Sequence, residues 1–130
     1  MDGTLVNRKS NMIPKAVKSW IIESKKLFTL YLISNNPSKK RIGKIAEELN
    51  LRYKYNASKP RKKVTMSAIK EIGCEPKNIA IIGDRIFTDI IVGNRCNINT
   101  ILVKRLKRDG LPIKFNLTLT IEKLISHFIK

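Results

Sequence analysis

The sequence predicts an α/β protein, a three-layer, doubly wound parallel sheet of Rossmann-like type in one domain covering residues 1–130. Three observations predict it. Short apolar runs of strand type alternate with segments of helical period; Pro and Gly fall at the edges of those segments; and no repeat, low-complexity tract or Gly/Ser linker divides the chain. A chain of 130 residues has room for one α/β core and too little for a second of comparable size.

The elements follow in order. From about Pro14 to Lys26, Val17, Trp20 and Ile21 recur on one face, so a helix is expected with Trp20 in the core. Leu27 to Ser34 (LFTLYLIS) reads as the first buried strand. Pro37 suits a first helical position, and Ile42, Ile45, Ala46 and Leu49 hold helical spacing as far as Leu49. A short strand around Arg52 to Tyr55 precedes a helix from about Arg61 to Ile72, stopped by Gly73. Ile79 to Gly83 (IAIIG) and Thr100 to Val103 (TILV) are two more strands, each of the near-continuous apolar kind that a parallel sheet buries on both faces. Thr120 is placed to cap a last helix with Ile121, Leu124, Ile125 and Phe128 on its apolar side, which leaves His127 exposed and without a role.

Bulk properties narrow the function. No run approaches the roughly 18 consecutive apolar residues of a membrane-spanning helix, and the first residues lack the order of a signal peptide, so the cytosol or an organelle interior is expected. Cys74 and Cys96 have no metal-site spacing and are read as free thiols. The net charge of +17, from 27 basic against 10 acidic residues, suits a polyanion or an anionic surface. Nineteen of the basic residues are Lys, and together with abundant Ile and Asn this is equally what an A+T-rich genome encodes. A nucleic-acid partner is disfavoured, because only 6% of residues are aromatic and Arg is not clustered among them.

In doubly wound sheets ligands collect at the carboxyl ends of the strands, and four polar groups fall there: Asp2-Gly3-Thr4, Ser34-Asn35-Asn36, Lys59-Pro60, and Gly83-Asp84 followed by Thr88-Asp89. Singly each reads as a cap, a turn or a solvated side chain. In this order, at strand ends, they resemble the four motifs of the haloacid dehalogenase (HAD) superfamily, and the resemblance spans nearly the whole chain.

The resemblance implies a magnesium-dependent phosphatase working through an aspartyl-phosphate. Met1-Asp2-Gly3-Thr4 matches the last four positions of the first motif, Asp-x-Asp-x-Thr; the nucleophilic first Asp has no counterpart in these residues, so the first strand is expected to be truncated. Asp2 matches the second Asp, the general acid and base whose backbone carbonyl also binds metal, and Thr4 belongs with the substrate-binding residues. Ser34, aided by Asn35, matches the phosphoryl-binding second motif. Lys59 matches the cation of the third, with Lys62 and Lys63 as neighbouring competitors. Asp84 and Asp89 match the fourth, the most specific of the four, and with Asp2 are the expected magnesium ligands.

The gaps between motifs hold one helix and one strand each, too little for the cap domain with which many members enclose small substrates. The open site this implies suits a protruding phosphate on a lipid head group, a protein or a nucleic-acid end. Ile81 to Arg95 (IIGDRIFTDIIVGNR), the Ser-Asn-Asn and the Lys-Pro pair are most similar to the capless phosphatidylglycerophosphate phosphatases of phospholipid metabolism, with Arg85 standing where that group more usually has Gln. The expected partner is thus an anionic lipid head group, met peripherally at a membrane surface. A non-catalytic remnant that binds phosphate or magnesium is the alternative.

Overall fold

The computed structural model of the chain describes residues 2, 4–6 and 12–104; the helix expected after Thr120 and the exposure expected of His127 lie outside the described residues. The described chain runs α1 (Lys15–Lys25), β1 (Tyr31–Ile33), α2 (Lys39–Leu49), β2 (Arg52–Lys54), α3 (Lys62–Ile72), a 3₁₀ turn (Pro76–Asn78), β3 (Ala80–Gly83), a π-helical turn (Ile86–Ile90), α4 (Ile91–Arg95) and β4 (Asn99–Leu102). This is the expected alternation, and every strand pairing is parallel.

Boundaries moved where hydrogen bonding outweighs residue type. The strand expected from Leu27 begins only at Tyr31, because the N–H groups of Leu27 and Phe28 both bond to the Ser24 carbonyl and extend the end of α1. Pro37 precedes α2 instead of opening it: Ser38 is the N-cap, its hydroxyl accepting the Arg41 N–H at 3.2 Å. Gly73 stops α3 as expected, with φ of 75°.

The four strands form two parallel pairs, β1 with β2 (Tyr31 opposite Arg52) and β3 with β4 (Ala80 opposite Asn99). Each pair has its own core. Val17, Trp20 and Ile21 of α1 and Ile42, Ile45 and Leu49 of α2 pack with Leu32 of β1, while Ile69 of α3 packs with Val92 and Cys96 of α4 and with Ile98. Between β1 and β3 runs an apolar cavity of about 340 Å³, lined by Leu32, Ile33, Ile81 and Ile82 from the two strand edges and by Leu5, Trp20, Thr65 and Ile69 around them.

Both cysteines are free, Cys74 exposed and Cys96 buried, and burial pushes the Cys96 thiol up from its ordinary value. Tyr31, the first residue of β1, donates to Glu71 at 2.5 Å, and Lys54, the last residue of β2, pairs with the same carboxylate at 2.9 Å. Burial, and then the Glu71 hydrogen bond, push the Tyr31 phenol up to about 12. No helix among the described residues is long and apolar enough to cross a membrane.

The closest approach of helix to sheet is at Gly93 on α4, where a Cβ would lie 2.7 Å from Ile81 Cγ2 and would also overlap the Thr100 methyl. Gly93→Ala therefore sets a helix-propensity gain of about 1 kcal/mol against an overpacking cost of about 1–3 kcal/mol on two stiff strand residues. The cost should win. Thermal denaturation is expected to show a lowered melting temperature for Gly93→Ala, and an unchanged or raised one would show that α4 does not pack this tightly.

Candidate active site

The carboxyl ends of the strands open into one pocket of about 350 Å³, lined by Asp2, Ser34, Asn35, Asn36, Lys59, Asp84, Arg85, Thr88 and Asp89. Six of the seven residues singled out from the sequence line it. The seventh, Thr4, stands behind it, its hydroxyl donating to Asp84 Oδ1 at 2.8 Å.

Ser34 immediately follows β1 and is 3% exposed; its hydroxyl accepts the Asn36 N–H at 3.1 Å, closing a tight turn that aims the following residues at the pocket. Asn35 faces the Lys59 backbone with both ends of its amide, Oδ1 accepting from Lys59 N at 2.7 Å and Nδ2 donating to Lys59 O at 3.0 Å. That clamp, with Arg95 Nη1 donating to Pro60 O at 3.0 Å, fixes where the Lys59 side chain starts.

Lys59 Nζ then donates to Asp89 Oδ1 at 2.5 Å, with the two side chains 7% and 6% exposed. The other Asp89 oxygen accepts the Arg85 backbone N–H at 3.2 Å. Gly83 makes this geometry possible: a Cβ there would overlap the Asp89 carboxylate. Lys62 and Lys63, the other candidate cations, are exposed on the first turn of α3 and do not line the pocket.

Asp2 is held by two donors that sequence reasoning did not combine. Arg41 Nη1 reaches Asp2 Oδ1 at 2.5 Å, and Asn36 Nδ2 reaches Oδ2 at 3.3 Å. Arg41 went unnoticed because it matches no motif. The available signal was positional: as the third residue of a helix that begins at the carboxyl end of β1, it sits beside the pocket by topology alone.

The pocket's charge balance says what it can accept. Three carboxylates, Asp2, Asp84 and Asp89, face two cations, Lys59 and Arg85, and adding Arg41, the partner of Asp2, only brings the sum to zero. A phosphate dianion needs positive charge that these groups do not supply in excess. A divalent cation supplies it, and hard carboxylate oxygens suit magnesium, which takes one or two carboxylates together with waters and substrate oxygens. No three acidic, His or Cys side chains among the described residues converge into a ready-made metal cage; Asp2, Asp84 and Asp89 share the pocket, each with a partner of its own.

Residues 56–111 match the family described as HAD-hydrolase-like, a stretch that contains Lys59, Asp84 and Asp89. The Bacillus subtilis (strain 168) protein named Probable phosphatase YqeG is 30% identical over 118 residues, which is 89% of this chain and 68% of that protein. A solved structure of a double mutant thermostable NPPase from Geobacillus stearothermophilus aligns at 19% identity and a TM-score of 0.37. The alignment covers 78% of this chain and 45% of that one, so the chain spans less than half the length of that protein.

The buried ion pair gives a direct test of how the pocket is held. Removing one partner of a buried pair leaves an uncompensated charge and typically costs about 3–5 kcal/mol, whereas replacing both with apolar groups costs much less. Chemical denaturation should therefore find Lys59→Met strongly destabilised and Lys59→Met/Asp89→Leu substantially recovered. Additive losses would show that the two side chains are not coupled.

Proposed function

Because the chain belongs to the HAD-like hydrolases, we propose that it is a phosphatase that acts through an aspartyl-phosphate with bound magnesium, on a phosphate that protrudes from a large substrate, phosphatidylglycerophosphate first among them. The observation that carries the reading is the gathering of Asp2, Ser34, Asn35, Lys59, Asp84 and Asp89 around one pocket, from the segments that follow β1, β2 and β3 and from the segment at Asp2. Only α2 and β2 lie between Asn36 and Lys59, which supports an open, capless site.

In this reading the phosphoryl oxygens sit against the Ser34 hydroxyl and the Lys59 ammonium, the latter already fixed by Asp89 and by the Asn35 clamp. Asp2 gives a proton to the departing alcohol and then takes one from the attacking water; Arg41 and Asn36 fix the orientation of its carboxylate. Thr4 fixes Asp84 in the same way. Magnesium, when bound, supplies Lewis-acid charge to the phosphate, and Asp84, Asp89 and the Asp2 backbone carbonyl are the groups proposed to hold it.

The nucleophile is proposed to arrive on a strand seated between β1 and β3 and ending in Asp directly before Met1. Support comes from the cavity between those strands: its walls are two sheet edges, and Trp20 Nε1 and Thr65 Oγ1, on residues that line it, have no hydrogen-bond partner among the described residues. A strand placed there would pair with both edges and end at the pocket.

Two predictions follow from the mechanism. A chain that carries an apolar strand ending in Asp before Asp2-Gly3-Thr4 is expected to release phosphate from phosphatidylglycerophosphate, with magnesium, and the same chain with that Asp replaced by Asn is expected to release none. Phosphate-monoester hydrolysis can demand acceleration approaching ~10²¹, on the order of 28 kcal/mol, which positioning without a nucleophile does not supply. Equal rates for the two chains in a phosphate-release assay would end the mechanism, and preference for a small sugar phosphate would end the substrate assignment. Separately, calorimetric titration of Asp84→Asn should show magnesium binding lost, with the circular dichroism spectrum retained. Unchanged affinity would remove Asp84 from the metal site.

A further inference from the structure

The rim of the pocket carries side chains that neither the core nor the proposed chemistry uses. Ile86 and Phe87, adjacent on the π-helical turn between Asp84 and Asp89, are 54% and 79% exposed. Arg85, Thr88 and Asp89 on either side of them line the pocket, and Ile86 and Phe87 do not. Two more large apolar side chains are exposed at the same end of the molecule, Tyr55 directly after β2 and Leu102 at the end of β4.

Charge is arranged around the same face. Lys39 and Lys40 begin α2, Arg61 and Lys62 begin α3, Arg85 follows β3 and Lys104 follows β4, and all six are exposed at the carboxyl ends of the strands. The glutamates among the described residues lie at the other end. Glu23, Glu47, Glu48 and Glu71 occupy the last turns of α1, α2 and α3, Glu75 follows α3, and Glu23, Glu48, Glu71 and Glu75 are each paired there with a lysine. Six exposed cations therefore stand on the side on which the pocket opens, around an exposed aromatic and an exposed aliphatic side chain.

We infer that this rim is a membrane-docking face, in which Phe87 and Ile86 enter the acyl boundary of an anionic bilayer while the surrounding lysines and arginines meet lipid phosphates. The arrangement is that of an interfacial anchor, apolar at the centre and basic at the edge, and it would set the pocket mouth at head-group level. The inference rests on the proposed lipid reading for the reason a phosphatase pocket should face a bilayer, and it adds which residues bring it there. A nucleic-acid partner would also answer to the charge, but it would use Phe87 as a stacking platform and gain nothing from Ile86 beside it.

Cosedimentation of the 130-residue chain with vesicles tests this without turnover. Binding is expected to phosphatidylcholine vesicles containing about one-third phosphatidylglycerol and not to phosphatidylcholine alone, since each surface cation contributes about a fivefold gain on an anionic leaflet. Ile86→Ser/Phe87→Ser should weaken that binding at least about tenfold. Leu27→Ser, which removes a side chain 64% exposed just beyond the end of α1, should leave it unchanged. Phe87→Trp should give fluorescence that shifts to the blue on anionic vesicles and is quenched by brominated acyl chains. Full binding by Ile86→Ser/Phe87→Ser, an equal loss in Leu27→Ser, or an equal loss of single-stranded oligonucleotide binding in Ile86→Ser/Phe87→Ser would each overturn the inference. Phe87-dependent vesicle binding by a chain whose extended form prefers soluble sugar phosphates would leave the docking face standing and remove the lipid substrate. Hydrolysis of phosphatidylglycerophosphate in vesicles that is indifferent to Phe87 would do the reverse.

Discussion

The contact between Lys59 and Asp89 is the one on which the rest of this structure depends. Lys59 belongs to the half of the molecule built on β1 and β2, Asp89 to the half built on β3 and β4, and each half has a separate apolar core. Ile82 of β3 packs against the first core, and polar ties add to that contact in holding the two halves in a common orientation. The buried pair is such a tie, reinforced by Thr4 to Asp84 on one side and Arg95 to Pro60 on the other. Buried ion pairs add little net stability, because desolvation offsets their attraction, but they tolerate few alternative geometries. The same tie that relates the two halves also fixes the cation and the carboxylate of the pocket at 2.5 Å.

That economy explains the polar character of the strand ends. Ser34 and Asp89 each accept a backbone N–H within the turn that carries them, while Asn35 and Asp84 bond to Lys59 and Thr4, remote in sequence, so the segments leaving the strands are held by the polar residues that line the pocket. Loops normally gain catalytic residues at the expense of order; here the residues supply the order. The contrast lies one layer down, where the cavity between β1 and β3 leaves strand edges facing apolar space and leaves Trp20 Nε1 and Thr65 Oγ1 without partners among the described residues.

Much of this was legible in the sequence, for a physical reason. Periodicity reports burial, so the inward faces of α1 and α2 are legible from Val17, Trp20, Ile42 and Ile45, all of them buried. Strand-end polar residues are where a doubly wound sheet collects ligands, and Asp84, Asp89, Ser34 and Lys59, legible in the sequence on that ground, line one pocket. What stayed hidden depends on competition between local hydrogen bonds or on contacts remote in sequence. Leu27 and Phe28 are good strand residues captured by a helix end, and Ser38 outcompetes Pro37 for the start of α2. Arg41 meets Asp2 across 39 positions, and no spacing rule reaches that far.

Asn35 ties the lifetime of the pocket to a single amide. Its oxygen accepts from Lys59 N and its nitrogen donates to Lys59 O, so the side chain reads a peptide group as a nucleobase reads its complement. Hydrolysis of that amide to a carboxylate, the slow chemistry by which asparagine ages, would turn the donor into a second acceptor and set it against a carbonyl oxygen. The molecule would keep its mass to within one dalton and keep both hydrophobic cores, yet lose the alignment of the lysine.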